Sequence, residues 1–165
     1  MIICATGHRK LIENTTDPKK FGREYMKLRL YRWMTQQEGV EACISGMAVG
    51  FDTIFAQAVL KAQLPLWAYI PCMDQYKKWA QSDQEVYFRL LDQAAKVIYI
   101  SREYHDECMK FRNRRMVNDS DMVVAYYDGV DKKTSGTGQT CRMATQQKKP
   151  IVNFFYDPEI ANLGG

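Results

Sequence analysis

The sequence predicts a single α/β domain of Rossmann-like, doubly wound build, with a mostly parallel sheet of about six strands flanked by helices. Three observations predict it. Short apolar runs rich in β-branched residues recur along the chain, longer segments with apolar residues three and four apart lie between them, and the loops that leave the runs are rich in glycine and small hydroxyl residues.

The expected strands are Ile2 to Ala5, Glu41 to Ser45, Leu66 to Ile70, Lys96 to Ile100, Asp121 to Tyr126 and Ile151 to Phe154, each of the length and apolar content of a buried strand. Helical spacing follows from Tyr25, Leu28 and Trp33, from Ile54, Phe55, Ala58 and Val59, and from Val86, Leu90, Leu91 and Ala94. Lys110 to Arg115 and the stretch running through Ala144 read as two further helices. Parallel neighbours each require a crossover, and crossovers are right-handed, so alternation of strand and helix fixes a parallel sheet. In such sheets the ligand crevice opens at the carboxyl ends of the strands.

A chain of 165 residues can bury a core without staples, and the whole of residues 1–165 reads as one domain, with no repeat, linker or compositional break. Apolar residues make up 46% and charged residues 25%, the balance of an ordinary folded domain rather than a disordered or fibrous chain. No apolar run approaches the roughly 18 residues that span a bilayer. The start, Met1-Ile2-Ile3-Cys4, lacks the charged-then-apolar design of an export signal, so the cytoplasm is the expected compartment. Cys4, Cys43, Cys72, Cys108 and Cys141 lie far apart without a Cys-x-x-Cys pair and are expected to be reduced and mostly buried. With only His8 and His105 beside them, no metal site and no cofactor are expected. A net charge of +4, spread along the chain, suits an anionic small molecule at least as well as a nucleic acid, whose surfaces normally show a denser basic stripe, and a nucleic-acid partner is not expected. Self-association is compatible with this fold class, since its flanking helices often pack across a two-fold.

The strand exits carry the chemistry. The first ends in Thr6-Gly7-His8-Arg9, the second in Ser45-Gly46-Met47-Ala48-Val49-Gly50, the third in Pro71-Cys72, the fourth in Ser101-Arg102, and the fifth in Tyr127-Asp128-Gly129. Thr134 through Thr140, with Ser135, Gly136, Thr137 and Gly138, then lead into a helix. Two glycine-bearing strand-to-helix turns, around Gly46 to Gly50 and around Gly136, offer backbone amides and a partial positive charge to a phosphate. A tight turn with a helix N-cap is the competing reading of each. No Gly-Lys-Ser/Thr ending is present and the third glycine of a dinucleotide fingerprint is missing, which argues against ATP hydrolysis and hydride transfer. In the basic run Lys110 to Arg115, helical spacing lets at most one arginine reach a ligand phosphate. Trp79 and Tyr76, on an expected helical turn, are read as packing residues in preference to a base-stacking pair.

These residues resemble the YpsA-like branch of the SLOG superfamily, the Rossmann-like group that also holds the Lonely Guy phosphoribohydrolases and the DprA-type DNA-processing proteins. The resemblance spans Thr6 to Leu11, Ile44 to Asp52, Gln75 to Trp79, Arg112 and Asn113 with Val117, Ser120 and Asp121, and Ser135 through Ala144. It implies a nucleotide-related ligand over the strand ends. The segment Met109 to Met116 is similar to the arginine motif of the Lonely Guy enzymes, which carries Arg112 over as their site arginine. Their Gly-Thr-x-x-Glu motif departs, with Thr140 at the glutamate position, and a hydroxyl cannot shuttle a proton near neutral pH.

The leading expectation is therefore a binding module that senses, carries or sequesters a nucleotide-derived small molecule. Gly46, Gly50 and the Gly136-Thr137-Gly138 turn are expected to cradle phosphate, and Arg112 to neutralise it. Gly7, His8, Arg9 and Asp52 are expected to meet sugar or base, with Ser45, Asn113, Asp128, Ser135 and Thr140 completing the set. An N-glycosidase in which Asp52 or Asp128 replaces the glutamate, beside Arg112, is the alternative. Single-stranded DNA binding, which rests on fold analogy alone, ranks third.

Overall fold

The structure, a computed structural model, describes residues 1–11, 22–130 and 135–155. Its sheet contains β1 (Ile2–Gly7), β2 (Ala42–Ser45), β3 (Leu66–Cys72), β4 (Lys96–Ser101), β5 (Met122–Tyr126) and β6 (Ile151–Asn153). Five helices connect them: α1 (Arg23–Thr35), α2 (Phe51–Lys61), α3 (Gln81–Gln93), α4 (Cys108–Asp119) and α5 (Gly136–Gln146). Every pairing is parallel, and the strand order is β4-β3-β2-β1-β5-β6. The chain steps outward from β1 to β4, then returns to the other side of β1 for β5 and β6. With right-handed crossovers this reversal moves the helices from one face of the sheet to the other.

Alternation along β1 shows the two layers. Ile3 and Ala5 join a large cluster with Leu30 and Met34 of α1, Phe51 and Phe55 of α2 and Leu90 of α3, whereas Cys4 joins Met116 and Val117 of α4 and Ala144 of α5. The core residues of β1, β2 and β5 are buried on both faces, which is why these runs read as continuously apolar. All five cysteines are buried and free, as expected, and burial pushes the Cys4 and Cys43 thiols up to about 12. Among the described residues, no helix is long and apolar enough to cross a membrane.

Two expectations change. β1 and β3 run two residues further than the apolar pattern suggests, because Gly7 still pairs with Tyr126 and Cys72 with Ser101. Tyr76 and Trp79 do not lie on a helix: Gln75, Lys77 and Trp79 each donate three residues back, to the carbonyls of Cys72, Asp74 and Tyr76, as a run of turns before α3. Tyr76 then stacks on Tyr87 and meets Phe88 edge-on, so it packs, as read from the sequence.

Candidate functional site

The reversal of strand order places a crevice beside β1, where chains diverge to opposite faces of the sheet. A cavity of about 390 Å³ opens there. Its floor is the end of β1, Ala5 to Gly7, continued by His8 and Arg9. Asp52 from the first turn of α2, Arg112 and Asn113 from α4, and Ser135, Gly136 and Thr137 from the start of α5 close round it.

Arg112 is the centre of this arrangement. Its helix turns the residue inward, 6% exposed, while Arg114 and Arg115 point to solvent and Arg115 pairs with Asp119 at 3.1 Å. Arg112 Nη1 donates to the Gly46 carbonyl at 2.7 Å and, more weakly, to the Tyr69 carbonyl at 3.4 Å; Nε donates to Asn113 Oδ1 at 2.9 Å. Among the described residues, Nη2 meets only the soft Met109 sulfur, at 3.8 Å. The guanidinium thus ties α4 to the loop after β2. Glycine at 46 is what permits this, because a Cβ there would sit 2.7 Å from the Arg112 Cζ. Burial lowers the Arg112 pKa, opposed by the Asp52 charge.

The loop after β2 is wound tightly. Met47 adopts a positive φ of 61°, unusual for its side chain, and donates its amide to Ser45 Oγ at 3.1 Å. The Ala48 amide donates to Asp52 Oδ2 at 3.3 Å, and the Phe51 amide donates to the His8 carbonyl at 3.3 Å. The Met47, Ala48 and Phe51 amides at this entry are therefore spent within the chain. The entry to α5 differs. Ser135 is its N-cap, accepting from the Gly138 amide at 3.1 Å, while the Gly136 and Thr137 amides have no partner among the described residues and both residues line the cavity.

Asp52 faces the same space. It is 7% exposed, and its Oδ1 is shut off from solvent without a hydrogen bond. Burial raises its pKa from 3.8 to about 6, against the pull of Arg112, the Ala48 amide and Arg9. The folded chain therefore binds a proton between pH 3.8 and about 6 that the unfolded chain releases, and stability falls as pH climbs through that window. Above it, the ionised group costs about 3 kcal/mol. Asp52→Asn is expected to raise the unfolding free energy by about 2 to 3 kcal/mol near neutral pH and by almost nothing near the ordinary carboxyl value. Urea unfolding at the two pH values measures this; an equal effect at both contradicts it.

His8 lines the cavity and meets Asp128 outside it. His8 Nε2 lies 3.3 Å from both the Asp128 amide and its Oδ1, so a neutral ring accepts from the first and a protonated ring donates to the second. Asp128 Oδ1 also accepts from the Val130 amide at 3.0 Å, and the residue does not line the cavity. Among the described residues, no group of three or more His, Cys, Asp or Glu is placed to hold a metal ion.

Comparison with known proteins gives the lineage. The family model described as YspA SLOG family matches residues 3–156. This chain belongs to that SLOG family. UPF0398 proteins of Bacillus thuringiensis (strain Al Hakam) and Bacillus cereus (strain AH187) are each 25% identical over 162 residues, covering 93% of this chain and 86% of theirs. Among solved structures it is similar to DNA processing protein A from Helicobacter pylori, with a TM-score of 0.65, 18% identity and coverage of 93% of this chain. The corresponding protein from Streptococcus pneumoniae gives 0.63, 18% and 92%. The SLOG chain spans 64% and 49% of the lengths of those two structures. A structural-genomics target, TM1055, gives 0.57 at 14% identity over 91% of this chain and 71% of that one.

Of the residues singled out in this SLOG sequence, Gly7, His8, Arg9, Asp52, Arg112, Asn113, Ser135, Gly136 and Thr137 meet at the cavity. Ser45, Gly46, Gly50, Asp128, Gly138 and Thr140 do not line it. Ser45 Oγ donates to the Asp52 carbonyl at 2.9 Å and thereby holds the turn. Thr140, fully buried one turn into α5, donates its hydroxyl to the Gly136 carbonyl at 2.8 Å. Gly50 accommodates the Arg9 backbone rather than a ligand. Ala5, Thr6, Ala48, Met109 and Met116 also line the cavity and were not among the candidate site residues. The methionines sit one turn to either side of Arg112 on α4, so helical spacing from that arginine was the signal that could have found them. Thr134 lies outside the described residues.

Proposed function

We propose that this SLOG chain binds a phosphate-bearing nucleotide or nucleotide-derived molecule in the cavity beside β1, as a sensing, carrying or sequestering module. The observation that carries the reading is that the Gly136 and Thr137 amides, without a partner among the described residues and at a helix N-terminus, share one cavity with Arg9 and Arg112. Amides and dipole take the phosphate, Arg112 Nη2 supplies fixed charge, and Arg9, exposed on its loop, adds a second cation. Arg9→Ala is the clean probe, since an exposed side chain is removed. Calorimetric titration with a panel of nucleoside mono- and diphosphates is expected to detect binding that weakens about tenfold in the variant. Absence of binding by every member, or an unchanged affinity in Arg9→Ala, removes the proposal.

A second reading is N-glycosidic cleavage of the bound nucleotide, favoured by one observation: a carboxyl with its pKa near 6 and an unpartnered oxygen stands in the cavity at Asp52. Chromatography for free base is its test, with no release by wild type at high enzyme concentration, or undiminished release by Asp52→Asn, as the contrary result. The third reading draws on the neighbour from Helicobacter pylori, whose structure concerns single-stranded DNA binding. Lys110 and Arg114 of α4 share a groove with Arg142 of α5, and binding there is distinguished by steep weakening with salt.

A further inference from the structure

Beyond the first cavity lies a second chamber of about 670 Å³, and the two share Arg9 and Met109 in their walls. The composition of the second is different. Its apolar floor is Cys72 and Met109, and two aromatic rings, Trp79 and Tyr104, stand in its walls. Trp79 is held by an edge-on contact with Tyr87, centroids 5.2 Å apart, whereas Tyr104 is 61% exposed, a large fraction for an aromatic side chain. Two polar atoms complete it. Asp74 Oδ1 and Gln75 Nε2 are sealed from solvent; Asp74 acts on the Cys72 thiol and Gln75 on the Tyr87 hydroxyl, and Asp74 Oδ2 pairs with Lys77 at 3.7 Å. Adjacent residues thus bring an acceptor and a donor, both shut off from bulk water, to the chamber wall.

We propose that this chamber is a nucleobase subsite: the base of a nucleoside phosphate stacks on Trp79 and Tyr104, with its hydrogen-bonding edge against Asp74 and Gln75, while its phosphate lies in the first cavity. The inference rests on the phosphate-binding reading given above and adds what that reading leaves open, namely where on the chain the base is held. A nucleobase has a planar face for the rings and an edge on which donor and acceptor stand side by side, whereas a sugar phosphate has no planar face to stack. Arg9, common to both chambers, is placed to neutralise charge at the joint between the two halves of the ligand.

The test is calorimetry of the intact chain with AMP, GMP and ribose 5-phosphate, for the wild type, Tyr104→Ala and Gln75→Leu, with circular dichroism confirming that both variants are folded. Base stacking contributes about 1 to 3 kcal/mol, so at least one nucleotide is expected to bind about tenfold or more tighter than ribose 5-phosphate. Tyr104→Ala is expected to shrink that gap about fivefold without changing ribose 5-phosphate affinity, and Gln75→Leu to narrow it in the same sense. Equal affinity for nucleotides and ribose 5-phosphate, or a gap untouched by both variants, overturns the base subsite and leaves the phosphate reading standing. Failure of all three compounds to bind overturns both together.

Discussion

Arg112→Ala is expected to destabilise the fold by about 3 to 5 kcal/mol and to abolish nucleotide binding. The large magnitude follows from what the guanidinium serves. It is buried, and its removal leaves the carbonyls of Gly46 and Tyr69 and the Asn113 side-chain oxygen short of a donor. It also removes the cation that opposes burial at Asp52, so the carboxyl is driven further toward its protonated form. Arg112→Lys separates charge from geometry. An ammonium restores the charge but not the planar fork that reaches a carbonyl and an amide oxygen together, so an intermediate stability and weak binding are expected. Urea unfolding read by circular dichroism gives the first quantity and calorimetry the second. An alanine variant with the wild-type urea midpoint contradicts this account of the site.

The second large effect is expected at Gly50, where alanine should cost about 3 to 5 kcal/mol or prevent folding. Two penalties coincide there. The residue has φ of 100°, a conformation that side-chain-bearing residues rarely adopt, and a Cβ would lie 2.5 Å from the Arg9 Cα. Backbone cannot swing aside as a flexible side chain can, so the loop after β1 would have to move, carrying Arg9 away from the cavity. Gly39 supplies the control. It has φ of 69° but no atom within 4 Å of an added Cβ, so Gly39→Ala isolates the conformational penalty, about 1 kcal/mol. Similar losses at both positions, measured by urea unfolding, would show that contact with Arg9 is unimportant.

The glycine-bearing exits show how far a chain can be read without its fold. That Gly46, Gly50 and Gly136 stand at strand-to-helix turns is legible from the apolar runs before them and the helical spacing after them. Their division of labour is not. The first two glycines make room for Arg112 and for the Arg9 backbone, whereas the turn at Gly136 holds two amides without a partner among the described residues at the mouth of the cavity. Both tasks call for a residue without a side chain, and only the partner across the turn distinguishes them. Helical spacing allowed at most one inward arginine in the run Lys110 to Arg115, and the resemblance to the Lonely Guy arginine motif pointed to Arg112. That it would spend three hydrogen bonds holding the site before meeting any ligand is a matter of tertiary contact.

The sequence by itself determined the parallel α/β architecture, the six strands, the reduced buried cysteines and the edge of the sheet on which to look, because these depend on periodicity and on crossover handedness, which are local or nearly so. Tertiary structure alone decided that Asp52 is buried with an unpartnered oxygen, that Thr140 bonds its own helix, and that a chamber lined by Trp79 and Tyr104 adjoins the first cavity. Desolvation and hydrogen-bond satisfaction depend on groups brought together from distant parts of the chain, so no window of sequence contains them.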